Sequence, residues 1–190
     1  MRKRGKYFSG LLLCLFSSAL YAGELVHARV EHEDKRYIVE IEMLIDAGFA
    51  HVQRLLTDYD HLTRLNSAIR ESSLIYSLDD HTHRVHVVTE ACVSFFCKRI
   101  SQLQDVEELP GGIIIATVIP EKSDFDYAHA RWKISAEGDR TRISFNTQLT
   151  PPSWVPPLIG PLPHGTKPRE ETLAALDGLD RLRPGARSRA

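Results

Sequence analysis

Residues 45–75 read IDAGFAHVQRLLTDYDHLTRLNSAIRESSLI, and this stretch decides the fold. It reads as the end of a strand, two short helices and the start of another strand. Asp46 is placed to cap the first helix, because a carboxylate can accept from the orphan N–H groups of a first turn. Phe49, Val52, Leu55, Leu56 and Tyr59 recur at helical spacing and make one apolar face. Asp58 and Asp60 flank Tyr59, where they break the first helix and cap a second. Leu62, Leu65 and Ile69 give that second helix its apolar side. Asn66-Ser67 and Glu71-Ser72-Ser73 mark the exit before Leu74-Ile75 opens an extended run. Two short, half-apolar helices need a larger surface to lie on.

The rest of the sequence supplies it. In Arg36–Ile45, Tyr37, Val39, Ile41, Met43 and Ile45 alternate with Ile38, Glu40, Glu42 and Leu44, the period of a half-buried strand. Residues 25–31, 74–78, 84–92, 98–107, 125–135 and 141–149 also read as strands, and 113–119 as a strongly apolar one. The turns between them are His32-Glu33-Asp34-Lys35, Asp79-Asp80-His81, Pro110-Gly111-Gly112 and Glu137-Gly138-Asp139. Successive runs at hairpin spacing predict an antiparallel sheet.

Before this domain, Arg2, Lys3, Arg4 and Lys6 precede an apolar run from Leu11 to Leu20 and a small Ala22. That is the pattern of a cleaved secretory signal over residues 1–22. The run falls short of the roughly 20 apolar residues that a spanning helix needs. The whole chain has 24 basic and 25 acidic residues; the signal holds four of the basic ones, leaving 20 against 25, a formal charge of −5. No basic stripe points to nucleic acid. Cys92 and Cys97 make an even pair in an oxidising compartment. Extended, they would stand about 16 Å apart, beyond the roughly 7 Å that a bridge allows. A disulfide therefore requires the chain to reverse, with Val93-Ser94-Phe95-Phe96 as a four-residue loop; two free thiols are the alternative.

Seven of the ten prolines lie between Thr150 and Pro168, among Trp154, Val155, Leu158, Ile159 and Leu162. Proline removes donors and blocks helix and central strand alike. An apolar, stiffened connection is expected to pack on the domain. Arg169–Leu182 reads as a terminal helix, with Leu173, Leu176, Leu179 and Leu182 near one side. Residues 184–190 read as a disordered tail.

The chemistry-bearing residues are scattered. His81 and His83 can share one strand face, while His86 points to the other, so no three ligands converge. His129 should face out, and Glu90 and Arg131 fit surface positions. There is no HExxH, glycine-rich phosphate loop or GxSxG elbow. No catalytic set, metal or cofactor is expected.

Ile45-Asp46-Ala47, Val52, Leu55-Leu56-Thr57-Asp58-Tyr59, Leu65-Asn66, Ile69 and Trp132 on a late strand carry a resemblance. In these residues, and in the element order, the chain resembles the START-like, or polyketide cyclase/dehydrase (SRPBCC), superfamily, which includes coenzyme Q-binding proteins. The resemblance covers residues 23–183. It implies an α+β helix-grip fold: a curved antiparallel sheet, two short helices, and a C-terminal helix across the concave face. It also implies an apolar cavity between sheet and helix. Residues placed to line it are Tyr59, Phe95, Phe96, Ala130, Trp132, Ile134, Trp154 and Leu158. The expected function is a periplasmic or secreted carrier of an apolar ligand, a lipid, isoprenoid or polycyclic molecule, with room for transient membrane contact. Fold alone does not settle function. An envelope interaction module, or an enzyme of the cyclase, aromatase or hydrolase kind, stays open.

Overall fold

The computed structural model describes residues 23–93 and 96–150. These form eight strands: β1 Gly23–Glu33, β2 Arg36–Ile45, β3 Ile69–Ser77, β4 Thr82–Val93, β5 Phe96–Leu109, β6 Ile113–Val118, β7 Tyr127–Glu137 and β8 Arg140–Thr150. They make one sheet in the order β1-β2-β8-β7-β6-β5-β4-β3. Every neighbouring pair is antiparallel, as the hairpin spacing predicts. The signal region, the proline-rich segment and the terminal helix expected over 169–182 lie outside the described residues.

The connection from β2 to β3 crosses one face of the sheet. It holds helix α1, Phe49–Leu56, and a 3-10 segment, Tyr59–Arg64. Helix α1 lies over β7 and β8, and the 3-10 segment lies over β3. Val52 is fully buried, and Phe49, Leu55 and Leu56 pack around it on the sheet. The apolar spacing of the sequence therefore gives the buried side of α1.

The capping expectations are corrected. The N-cap of α1 is Gly48, with no side-chain cap, and Asp46 is exposed. The backbone turns later than the Asp46 reading assumes: Ala47 N–H bonds back to Ile45 O at 2.9 Å, and Gly48 O accepts the first helical bonds from His51 and Val52. Asp58 is the N-cap of the 3-10 segment but bonds no orphan amide there. Its Oδ1 meets His61 Nδ1 at 2.7 Å instead. Asp60 Oδ1 accepts the Leu74 N–H of edge strand β3 at 2.9 Å. The second helix is shorter than the spacing suggests, because Asn66 Oδ1 accepts the Ala68 N–H at 2.8 Å and turns the chain. Ile69 consequently opens β3 rather than closing a helix.

Two contacts fix the helical end of the sheet. Thr141 is buried, and its Oγ1 donates to Ala47 O at 2.6 Å. Gly112 sits at φ +72 in the β5–β6 turn, and its carbonyl accepts the Ile134 N–H at 2.7 Å. A Cβ there would stand 2.5 Å from Ile134 O and 3.0 Å from the Phe49 ring. Glycine is what lets the turn close onto β7 and α1 together.

The β4–β5 hairpin pairs to Val93↔Phe96, with Cys92↔Cys97 one step in. Only residues 94–95 lie between the strands. The four-residue loop expected from the sequence is thus replaced by a shorter closure, because strand pairing continues past the cysteines. The backbone reversal that a bridge requires is present. Beyond β6, residues 119–124 continue along the β5 edge: Ile119 N–H bonds Leu103 O, Leu103 N–H bonds Ser123 Oγ, and Ser101 N–H bonds Asp124 Oδ2.

Candidate functional site

Cross-strand partners share a sheet face, so the strand register sorts the side chains. The inner face, on which α1 packs, carries the apolar set. One row runs Ile114, Trp132, Phe145, Ile41 across β6, β7, β8 and β2. Its Trp132 and Phe145 rings pack with centroids 4.9 Å apart. Two residues further along each strand, the next row runs Val106, Ala116, Ala130, Thr147, Val39. The row after that runs Val85, Gln104, Val118, Ala128, Leu149, Tyr37. The middle row is made of short side chains, of which Val106, Ala116 and Thr147 are buried, beside the longer Ile114, Trp132, Phe145 and Ile41; this row is the apolar trough of the sheet.

The outer face carries the charges. Arg142 pairs with Glu42 and Glu137, Arg84 with Asp105, and Glu90 with both Arg70 and Arg99. His129 lies on this side, bonded to Thr117, and Arg131 is exposed. His86 also faces this way and meets Ser101 Oγ at 2.9 Å. The expectations for His86, His129, Glu90 and Arg131 agree with this placement.

One polar cluster stands on the inner face. Where the trough reaches β4, Val106 is partnered by His83, and His83 is partnered by Ser77 of β3. His83 Nδ1 meets Ser77 Oγ at 2.9 Å. Its Nε2 lies 3.4 Å from Glu108 Oε1. The same oxygen accepts the Tyr59 hydroxyl at 2.8 Å. The Tyr59 and His83 rings stand 5.4 Å apart. Burial, then the hydrogen bond and charge of Glu108, push the Tyr59 phenol up, so it remains a donor. The contacts therefore run hydroxyl, imidazole, carboxylate, phenol, joining β3, β4, β5 and the 3-10 segment. With Tyr59, His83 and Ser77 tied to one another through the cluster, what it offers a molecule lying in the trough is the carboxylate of Glu108, an acceptor.

Of the residues read from the sequence as cavity-lining, Tyr59, Ala130, Trp132 and Ile134 come to this face. Ala130 lies in the trough and Trp132 on its wall. Ile134 is 1% exposed and is sealed in the core beside Ile143. Tyr59 is 7% exposed, with its hydroxyl turned to Glu108 rather than to an open rim. Phe95, Trp154 and Leu158, and the side chain of Phe96, lie outside the described residues. Sequence reasoning missed Ser77 and Glu108 and read His83 only as sharing a strand face with His81. A signal was present: Glu107 and Glu108 are adjacent in a strand, so one of them must face inward.

Solved structures share this architecture, three of them as follows. A START superfamily protein from Mycobacterium smegmatis aligns with 76% of this chain and 92% of its own, at 14% identity and a TM-score of 0.57. The fold is START-like. The Zhui aromatase/cyclase from Streptomyces sp. R1128 aligns with a TM-score of 0.56 at 12% identity, over 76% of this chain and 91% of its own. A STAR-related lipid transfer protein from Xanthomonas axonopodis aligns over 85% of this chain and 97% of its own, with a TM-score of 0.53 and 13% identity. At the level of sequence, no family model and no curated protein matches the chain.

Proposed function

We propose that this START-like protein is an exported carrier that holds an apolar ligand, a lipid, isoprenoid or polycyclic molecule, along the inner face of its sheet. The observation that carries the reading is the trough of Val106, Ala116, Ala130, Thr147 and Val39, walled by Trp132 and Phe145. Small residues beside large ones leave room that a close-packed core would fill. Burying about 300 Å² of ligand surface at about 25 cal/mol per Å² supplies roughly 7 kcal/mol before binding costs. Micromolar binding takes about 8 kcal/mol net, so burial alone holds the ligand that tightly only if it covers well over that area, as a long apolar chain can. The likeness in fold to a STAR-related lipid transfer protein supports the same ligand class.

In this reading residues 1–22 are a cleaved signal and the protein works in the periplasm. Cys92 and Cys97 form a disulfide at the end of the β4–β5 hairpin, with Phe95 and Phe96 at its tip. Trp154 and Leu158, on the proline-rich segment, close the ligand against the sheet or touch a membrane surface, and the terminal helix completes the cover.

The test is Ala130→Phe, which fills the trough from a central strand. Volume added where space exists costs little stability, whereas overpacking a filled core costs about 1–3 kcal/mol or more. The carrier reading expects the unfolding midpoint to hold while affinity for a pyrene-labelled neutral lipid falls at least tenfold. Marked destabilisation, with no lipid bound by the unaltered protein, would mean that the space was filled all along.

A further inference from the structure

The geometry points to a head-group site at Glu108 that accepts a neutral hydroxyl-bearing ligand and turns away a carboxylate or phosphate. This inference rests on the carrier reading and specifies its ligand.

On the inner-face rows between β2 and β4, Glu108 is the acidic side chain and His83 the imidazole. Among the described residues, no Lys or Arg of these strands shares that face apart from Lys98, exposed near the cysteine end of the hairpin. The other basic side chains of these strands alternate to the outer face, where several pair with carboxylates. Among the described strands, an anionic head group would therefore meet a carboxylate in the trough and no guanidinium or ammonium beside it. Like charges brought together away from water repel strongly.

Hydrogen-bond capacity points the same way. Glu108 Oε1 takes both the Tyr59 hydroxyl and the His83 contact. Among the described residues its Oε2 carries no hydrogen bond, and an ionised carboxylate can only accept. The complementary head group is consequently a donor. Tyr59 is committed to Glu108, which fixes the carboxylate at the edge of the trough, and Ser77 does the same for the imidazole. Glu108 is partnered across the sheet by Ile114, the residue next to Trp132 in the wall of the trough. A ligand with its hydroxyl at Glu108 can thus lay its apolar body along the trough toward Ala130 and Phe145. A site built to bond one polar group rejects the analogue that cannot satisfy it far more strongly than a purely apolar pocket does.

The experiment uses two probes with one tail, pyrenedecanol and pyrenedecanoic acid, titrated against the full exported protein at pH 8, where the acid is ionised. The alcohol should bind at least tenfold more tightly than the acid. Glu108→Gln keeps the side-chain shape and an oxygen for Tyr59, and should bring the two affinities within about threefold, mainly by admitting the acid. A circular dichroism melt confirms that the variant is folded. Equal or tighter binding of the acid to the unaltered protein overturns the inference and leaves the carrier reading standing. So does a preference that Glu108→Gln leaves unchanged. Failure of both probes to bind overturns the carrier reading and this inference with it.

Discussion

Gly112→Ala should lower the unfolding free energy by about 3 kcal/mol or more, a larger loss than any other single methyl is expected to cause here. Two costs add. The residue sits at φ +72, where an L side chain is strained by roughly 1 kcal/mol or more. The new methyl would also stand 2.5 Å from the Ile134 carbonyl oxygen, and backbone cannot rotate aside as a side chain can. Relief requires the turn to lift off β7, which breaks the bond from Ile134 N–H to Gly112 O and loosens Phe49 of α1. Urea unfolding of the two proteins reads the difference. Gly111→Ala is the internal comparison, since that residue has φ +78 but its nearest neighbour at the Cβ position is the flexible Lys133 Nζ at 3.6 Å. It should lose only the backbone contribution. Equal losses at the two positions would show that φ, and not the close approach to β7, sets the cost at Gly112.

Ile134→Ala should cost about 3–4 kcal/mol. Its side chain is sealed in the cluster that joins Ile45, Val52, Ile114 and Ile143, bringing together α1 and four strands. Removing three carbons there loses their transfer energy and leaves a cavity that strands on both sides hold open. Trp132→Ala removes a larger side chain, but one only half-buried and lying along the trough. In the carrier account it should weaken lipid binding more than Ile134→Ala does, relative to the stability each loses. Chemical denaturation, with lipid titration below the transition, separates the two effects.

The sheet was legible because its side chains alternate. Tyr37 to Ile45 and Ala128 to Ile134 show the period of two directly, and the β2–β8 and β7–β8 registers match inner position to inner position. The buried side of α1 was legible from Phe49, Val52, Leu55 and Leu56 for the corresponding helical reason. What failed depended on where the backbone turns. Asp46 is a good capping residue placed before a chain that turns two residues later, at Gly48. Asp60 looks like a helix cap, but its carboxylate serves the edge of β3, fourteen residues away in sequence. Ile69 continues a helical spacing that the Asn66 turn has already ended.

The polar cluster was hidden for another reason. Tyr59 and Glu108 are separated by 49 positions, and His83 meets them only through the β4–β5 register. No local motif records such a meeting. The assignment of Ala130 and Trp132 to one face of a central strand followed from alternation alone. That Ile134, two residues on, is closed over by α1 could be known only once the helix was placed.

Mass spectrometry of the gene product recovered from the periplasm bears on both proposals at once, carriage of an apolar ligand and export. Under native conditions the account predicts a species heavier than the polypeptide by the mass of an organic-extractable lipid-like molecule. After denaturation it predicts a new N-terminus at Gly23 and a polypeptide mass two protons short, from the bridge between Cys92 and Cys97. Ligand-free protein that binds no neutral lipid on titration, or an intact Met1 retained in the membrane fraction, would contradict the account.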